Sequence, residues 1–93
     1  MRISYTPEAI DDLRRLRDFI EAKNPLAAKR IASSILKGIS QLKIFPDSGV
    51  EVQQAPDPEA VRDLIIGSHT VRYLIGSNKI YILRVWHHKE QRL

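Results

Sequence analysis

Apolar positions recur at helical spacing through the first half of the chain and crowd into short runs in the last third. Ile10, Leu13, Leu16 or Phe19, and Ile20 fall three or four residues apart, while Asp11, Arg14, Arg15, Asp18 and Glu21 take the opposite face. A start signal stands ahead of them. Thr6 is an N-cap residue, Pro7 suits the first helical position, where a backbone N–H would lack a partner, and Glu8 complements the positive helix end. The pattern predicts a helix from Pro7 to about Lys23. Asn24-Pro25 repeats the start signal. Ala28, Ile31, Ile35, Ile39 and Leu42 then form a second apolar stripe, which Phe45-Pro46 ends. Neither amphipathic helix is stable alone, so the two stripes need each other or a sheet.

Ile3 to Tyr5 predicts a short strand before the first helix. Residues 46–59 (PDSGVEVQQAPDPE) carry three prolines and a glycine and predict a surface loop. Three strands rich in β-branched and aromatic residues follow: Val61 to Ile66, His69 to Ile75 and Lys79 to Trp86, with turns at Gly67-Ser68 and Gly76-Ser77-Asn78. The order β-α-α-β-β-β makes one α+β domain spanning residues 1–93, with an N-terminal helical hairpin packed on a small antiparallel sheet.

A three-residue loop would pair Ile75 with Lys79. In that register Tyr73, Val71 and His69 share a face with Tyr81, Leu83, Val85 and His87, and this mostly apolar side faces the helices. The other side then gathers Leu74, Arg72 and Thr70 with Ile80, Ile82, Arg84, Trp86 and His88. Arginine and tryptophan anchor protein interfaces and also suit phosphate and base recognition.

Composition narrows the chemistry. The chain has no cysteine, which removes disulfides and thiolate metal sites and fits a reducing cytoplasm. Residues 1–5 show no signal-peptide core, and no stretch reaches the roughly 20 apolar residues of a membrane span. The net charge is +4 and unevenly placed. Residues 46–60 hold four acids and no base, whereas both flanks are basic, which favours polyanions or an acidic protein partner. A 93-residue chain buries a modest share of its surface, so a partner that covers apolar area fits its size.

His69, His87 and His88 are the three histidines. Neighbours on a strand point to opposite faces, so His87 and His88 do not converge on one metal ion, and no metal or cofactor is expected. Ser68-His69 lacks the glycine-flanked elbow of a serine nucleophile. Metal-free RNA cleavage through the 2′-hydroxyl needs a base, an acid and cations on the phosphorane. His88 or His87 suits the acid, and Arg72 and Arg84 suit the charge. Asp63 and the loop acids are the available bases, but nothing in the sequence singles one out.

Four stretches in this order and spacing resemble the RelE/ParE superfamily of bacterial type II toxins: YTPEAIDDLRRLRDFI (Tyr5 to Ile20), NPLAAKRIASSILKGISQLKIFPDSG (Asn24 to Gly49), VRDLIIGSHTVRYLI (Val61 to Ile75) and IYILRVWHH (Ile80 to His88). The NPxAA break, the FPxxG exit and the ILRVxH final strand are closer to ParE. The resemblance implies the same helical hairpin on an antiparallel sheet. It implies a growth-inhibiting toxin, of the kind linked to plasmid stabilisation, that is neutralised by a cognate antitoxin with an acidic, partly helical segment, in a complex that can be of higher order.

ParE-like toxins poison DNA gyrase, and RelE-like toxins cleave mRNA on the ribosome. RelE-like catalysis leans on an arginine in the second C-terminal strand, within a segment that is HTVRY here, His69 to Tyr73. Thr70 stands at the arginine position and Arg72 lies two residues on. The later catalytic positions fall near His87 and His88. A ParE-type reading makes Arg72, Arg84, Trp86, His88, Lys89 and Arg92 the target-binding surface. A RelE-type reading makes Arg72, Arg84, His87 and His88 catalytic. A third reading is an inactive member that only binds its antitoxin and helps repress their operon.

Overall fold

A computed structural model of the chain describes residues 1–90. Its elements are β1 (Arg2–Tyr5), α1 (Pro7–Lys23), α2 (Pro25–Gln41), β2 (Val50–Glu51), β3 (Val61–Ile66), β4 (His69–Ile75) and β5 (Lys79–His87). Both helix starts follow from the caps. The Thr6 hydroxyl oxygen accepts the Ala9 amide, the Asn24 carboxamide oxygen accepts the Ala27 amide, and a proline follows each cap.

The strands form one five-stranded sheet in the order β1-β5-β4-β3-β2. It is mixed rather than wholly antiparallel, because β1 joins β5 in parallel through the pairs Arg2↔Lys79 to Tyr5↔Ile82. The expected 46–59 loop also contains β2, whose two residues pair with Asp63 and Arg62 of β3. Prolines and acids hid so short a strand. A Gly67 with φ of 59° turns β3 into β4, a left-handed backbone that glycine adopts without a Cβ clash.

The β4–β5 register differs from the three-residue-loop expectation. Ile75 pairs with Ile80 rather than Lys79, so four residues separate the pair, and the Gly76 amide donates to the Lys79 carbonyl at 2.8 Å across the turn. Tyr73 opposes Ile82, yet Arg72 opposes Arg84, so Leu83 is an extra residue in β5 and makes a bulge. The bulge inverts the alternation within the strand. Below it, Ile80 and Ile82 are fully buried under the helices, while Tyr81 is exposed, the reverse of the expected faces. Above it, Val85 returns to the core, and Arg84 and Trp86 flank the far side with Arg72 and Thr70. The aliphatic pair thereby replaces the more polar tyrosine in the interior.

The core joins Ala9 and Leu16 of α1, Ile35 and Ile39 of α2, Leu42, and Val71, Tyr73, Ile80, Ile82 and Val85 of the sheet. The α2 stripe matches expectation. The α1 stripe is rotated: Ile10 and Phe19 are exposed, and the buried line is Ala9, Asp12 and Leu16.

Tyr73 fixes the chain where it leaves α2. Its buried hydroxyl accepts the Gly49 amide at 2.9 Å and donates to the Pro46 carbonyl at 2.6 Å. A Cβ on Gly49 would stand 2.7 Å from that hydroxyl and 3.0 Å from the Asp63 carbonyl. This is the physical content of the FPxxG exit: proline offers a carbonyl, and glycine leaves room for a tyrosine. Tyr73→Phe strands two buried polar groups and is expected to cost about 1–3 kcal/mol in urea unfolding, and Gly49→Ala is expected to destabilise through the same contact.

Candidate functional site

The site begins as a sheet-edge problem. β1 ends at Tyr5 opposite Ile82, while β5 continues to His87. Where β1 stops, Thr6 donates its amide to the Ile82 carbonyl and its hydroxyl to the Leu83 carbonyl, so the helix cap also holds the bulge. Beyond that point α1 runs along the edge, and side chains take the place of the missing strand. The Asp12 carboxylate accepts the Val85 amide at 2.9 Å, and the Glu90 carboxylate accepts the His87 amide at 2.8 Å.

Asp12 is 2 % exposed and takes three more hydrogen bonds. Arg84 closes on it bidentately, Nε to Oδ2 at 2.8 Å and Nη2 to Oδ1 at 3.0 Å, and Arg15 Nη1 reaches Oδ1 at 2.7 Å. Arg15 also reaches Glu90 at 2.9 Å. A carboxylate has about four acceptor positions, and here all are used. Burial works to raise the Asp12 pKa, but the bonds from Arg84, Arg15 and the Val85 amide, with the Arg84 charge, outweigh it and bring the group from 3.8 to about 2. Burial likewise opposes ionisation of Glu90, and the His87 amide and Arg15 hold its pKa below the ordinary value.

On the far side of the sheet Arg72 forks onto its cross-strand partner Asp63, at 2.8 Å and 3.0 Å. Its guanidinium lies 5.1 Å from the centre of the Trp86 ring. Trp86 is buried and stands opposite buried Thr70. The Thr70 hydroxyl meets His88 Nε2 at 3.0 Å, and Lys89 is exposed beside His88.

A pair of histidines faces the helices. His69 and His87 meet edge to face with ring centres 5.0 Å apart. His87 Nδ1 accepts the Lys89 amide at 3.0 Å. Both rings line an open groove of ≈ 830 Å³ between α1, α2 and the β3–β4 turn.

The structure thus brings Arg72, Arg84, Trp86, His88 and Lys89 to one end of the sheet, with His87 turned to the helix side; Arg92 lies outside the described residues. Both arginines arrive already paired with carboxylates. Asp12, Arg15 and Glu90 are the residues that sequence reasoning did not assign. A signal existed: Asp12 falls in phase with Ala9 and Leu16, and an acid on an apolar stripe demands a cation. The partner, 72 residues away, had no local mark.

The family described as ParE toxin of type II toxin–antitoxin system, parDE, matches residues 3–92. The chain belongs to the ParE toxin family. A curated relative of this ParE-family toxin, Toxin RelE2 of Caulobacter vibrioides, is 28% identical over 86 residues, covering 92% of this chain and 93% of that one. Among solved structures, the toxin resembles the chromosomal ParDE system from P. aeruginosa, with a TM-score of 0.77 at 20% identity, covering 94% of this chain and 95% of that one. It also resembles a conserved hypothetical protein of Helicobacter pylori, with a TM-score of 0.59 at 14% identity over 97% of both chains. These structures share the fold, the helical hairpin on the sheet included. No helix among the described residues is long and apolar enough to cross a membrane.

The depressed Asp12 pKa has a defined pH signature. The folded value lies below the unfolded one, so the stabilisation is present above about pH 4 and is lost as pH falls toward 2. The difference amounts to about 2 kcal/mol. Urea unfolding at pH 5, 4, 3 and 2 is expected to show this loss, and Asp12→Asn is expected to remove this component while lowering stability at neutral pH by roughly 3 kcal/mol.

Proposed function

We propose that this toxin arrests growth as a ParE-type inhibitor of DNA gyrase, by binding rather than by cutting RNA, and that its cognate antitoxin neutralises it. Membership of a type II family implies the antitoxin; the gyrase target is the reading that the site supports best. The supporting observation is the state of the two arginines. A metal-free ribonuclease must turn cations toward a developing phosphorane. Arg72 and Arg84 are each closed bidentately on Asp63 and Asp12. In that state they stiffen the end of the sheet and offer little to a phosphate.

His88 and Lys89 stand exposed above this stiffened end, and Arg72 and Trp86 form its stacked base. That arrangement suits a rigid contact patch. Arg84 serves it by holding β5 against α1, and Arg92 extends the same segment in sequence. The acidic segment expected of an antitoxin is met by the groove beside α1 and α2, whose walls are apolar and whose rim is basic. A RelE-type ribosome-dependent mRNA cleavage remains the second reading, supported by the curated relative's name and by His88 at the same end of the sheet as Arg72.

The deciding assay is supercoiling of relaxed plasmid by gyrase, with purified, antitoxin-free toxin that is shown to slow growth. Inhibition with accumulation of cleaved DNA is the expected result, and untouched gyrase at large toxin excess would move the target to ribosome-bound mRNA. A His87/His88 double substitution separates the readings independently. Toxicity is expected to fall partly, as for loss of contact area, whereas an enzyme would lose it by orders of magnitude.

A further inference from the structure

The groove between α1, α2 and the sheet has two features beyond its apolar floor of Leu16, Ile20, Ile31 and Ile35. The first is charge. Arg15, Lys23, Arg30 and Lys89 line it, against one acid, Glu90, which Arg15 already holds. An acidic amphipathic segment complements such a groove, with apolar residues on the floor and carboxylates toward the rim. The second is an unsatisfied group inside it. His69 is 5 % exposed, lines the groove, and its Nε2 has no hydrogen-bond partner among the described residues. Buried polar atoms without partners are rare because desolvation goes uncompensated.

We infer that the His69–His87 pair is a proton-linked recognition point, at which a carboxylate of an acidic partner entering the groove is met by a protonated His69. The proposal rests on the antitoxin reading and names a residue and a chemistry within it. His87 Nδ1 is already engaged by the Lys89 amide. His69 has a nitrogen without a partner among the described residues.

The surroundings decide the direction. His87 of β5 meets His69 ring to ring, and His88 and Glu90, which follow β5, act on it through their charges; Lys89 after β5, Arg15 and Lys23 of α1 and Arg30 of α2 line the same groove. Burial first, then the charges of His87 and His88, hold the His69 pKa below its ordinary value, with Glu90 a weaker opposing influence. The free toxin therefore keeps His69 neutral near pH 7. A carboxylate brought into the groove favours the imidazolium. The bound pKa then exceeds the free one, so binding takes up a proton, and affinity rises as pH falls through the bound value toward the free value.

The test titrates the purified toxin with the antitoxin encoded in its own operon, by calorimetry at pH 8, 7 and 6, in phosphate and in Tris. The expected result is proton uptake, seen as a buffer-dependent heat, and roughly tenfold tighter binding at pH 6 than at pH 8, one pKa unit of difference being worth a factor of ten. His69→Gln is expected to flatten the pH dependence, with its affinity at pH 6 no tighter than its own affinity at pH 8. Should that variant fail to fold, the ring proton signals of His69 in the wild-type toxin are followed through pH, free and bound. A His69 charged at pH 7 only in the complex supports the proposal. Tight binding with flat affinity, or a His69 that stays neutral in the complex, overturns it while leaving the antitoxin reading intact. Absence of binding at every pH overturns both.

Discussion

The carboxylate of Asp12 is the constraint on which this small domain turns. A strand that outruns its neighbour exposes backbone amides at an edge, and an apolar helix laid against that edge offers them nothing. Asp12 resolves the conflict by acting as the next strand's carbonyl while sitting on the buried face of α1. The charge this brings inside is tolerable because two arginines and an amide fill its acceptor positions. Three of these four contacts, two from Arg84 and one from the Val85 amide, join the first helix to the last strand. The hairpin and the C-terminal segment are therefore held together electrostatically as well as by the core.

That arrangement bears on how the toxin acts. Arginines locked on carboxylates are poor phosphate ligands but good struts. Asp12 and Asp63 between them take both of the cations that a nuclease would want at the end of the sheet, and what remains exposed, His88 and Lys89, stands on a rigid base of Arg72 and Trp86. A contact surface gains from such stiffness, because little conformational entropy is lost when it docks. The groove on the other side of the sheet differs in kind: it is open, basic at the rim and apolar within, a shape that asks to be covered. The two surfaces meet at His87 and Glu90, which belong to the C-terminal segment and also line the groove.

Local grammar carried much of the fold. Thr6-Pro7 and Asn24-Pro25 start helices because a side-chain oxygen and a proline suit the first turn in any context, and the α2 stripe lies where its spacing puts it. Gly67-Ser68 turns because glycine adopts a positive φ. The FPxxG exit is legible as a motif, but its cause is tertiary, since the tyrosine that requires it lies in β4. Arg72, Arg84, Trp86, His88 and Lys89 were legible as a group, since strand alternation above the bulge places the first four together and Lys89 follows directly.

What the sequence could not determine were relations between distant backbones. The parity of β5 depends on one extra residue, Leu83, whose carbonyl is held by Thr6, and no pattern within β5 records that contact. The parallel pairing of β1 and the two-residue β2 exist only because a partner strand is present. Burial of Asp12 reads as an error on a helical wheel until Arg84 and the Val85 amide are brought beside it. The sequence by itself determined where the helices and turns fall and the family, because those rest on neighbours within four residues or on the order of motifs. Tertiary structure alone decided which side of β5 faces inward and which charges are already spent, because both depend on groups that meet only after the chain has folded.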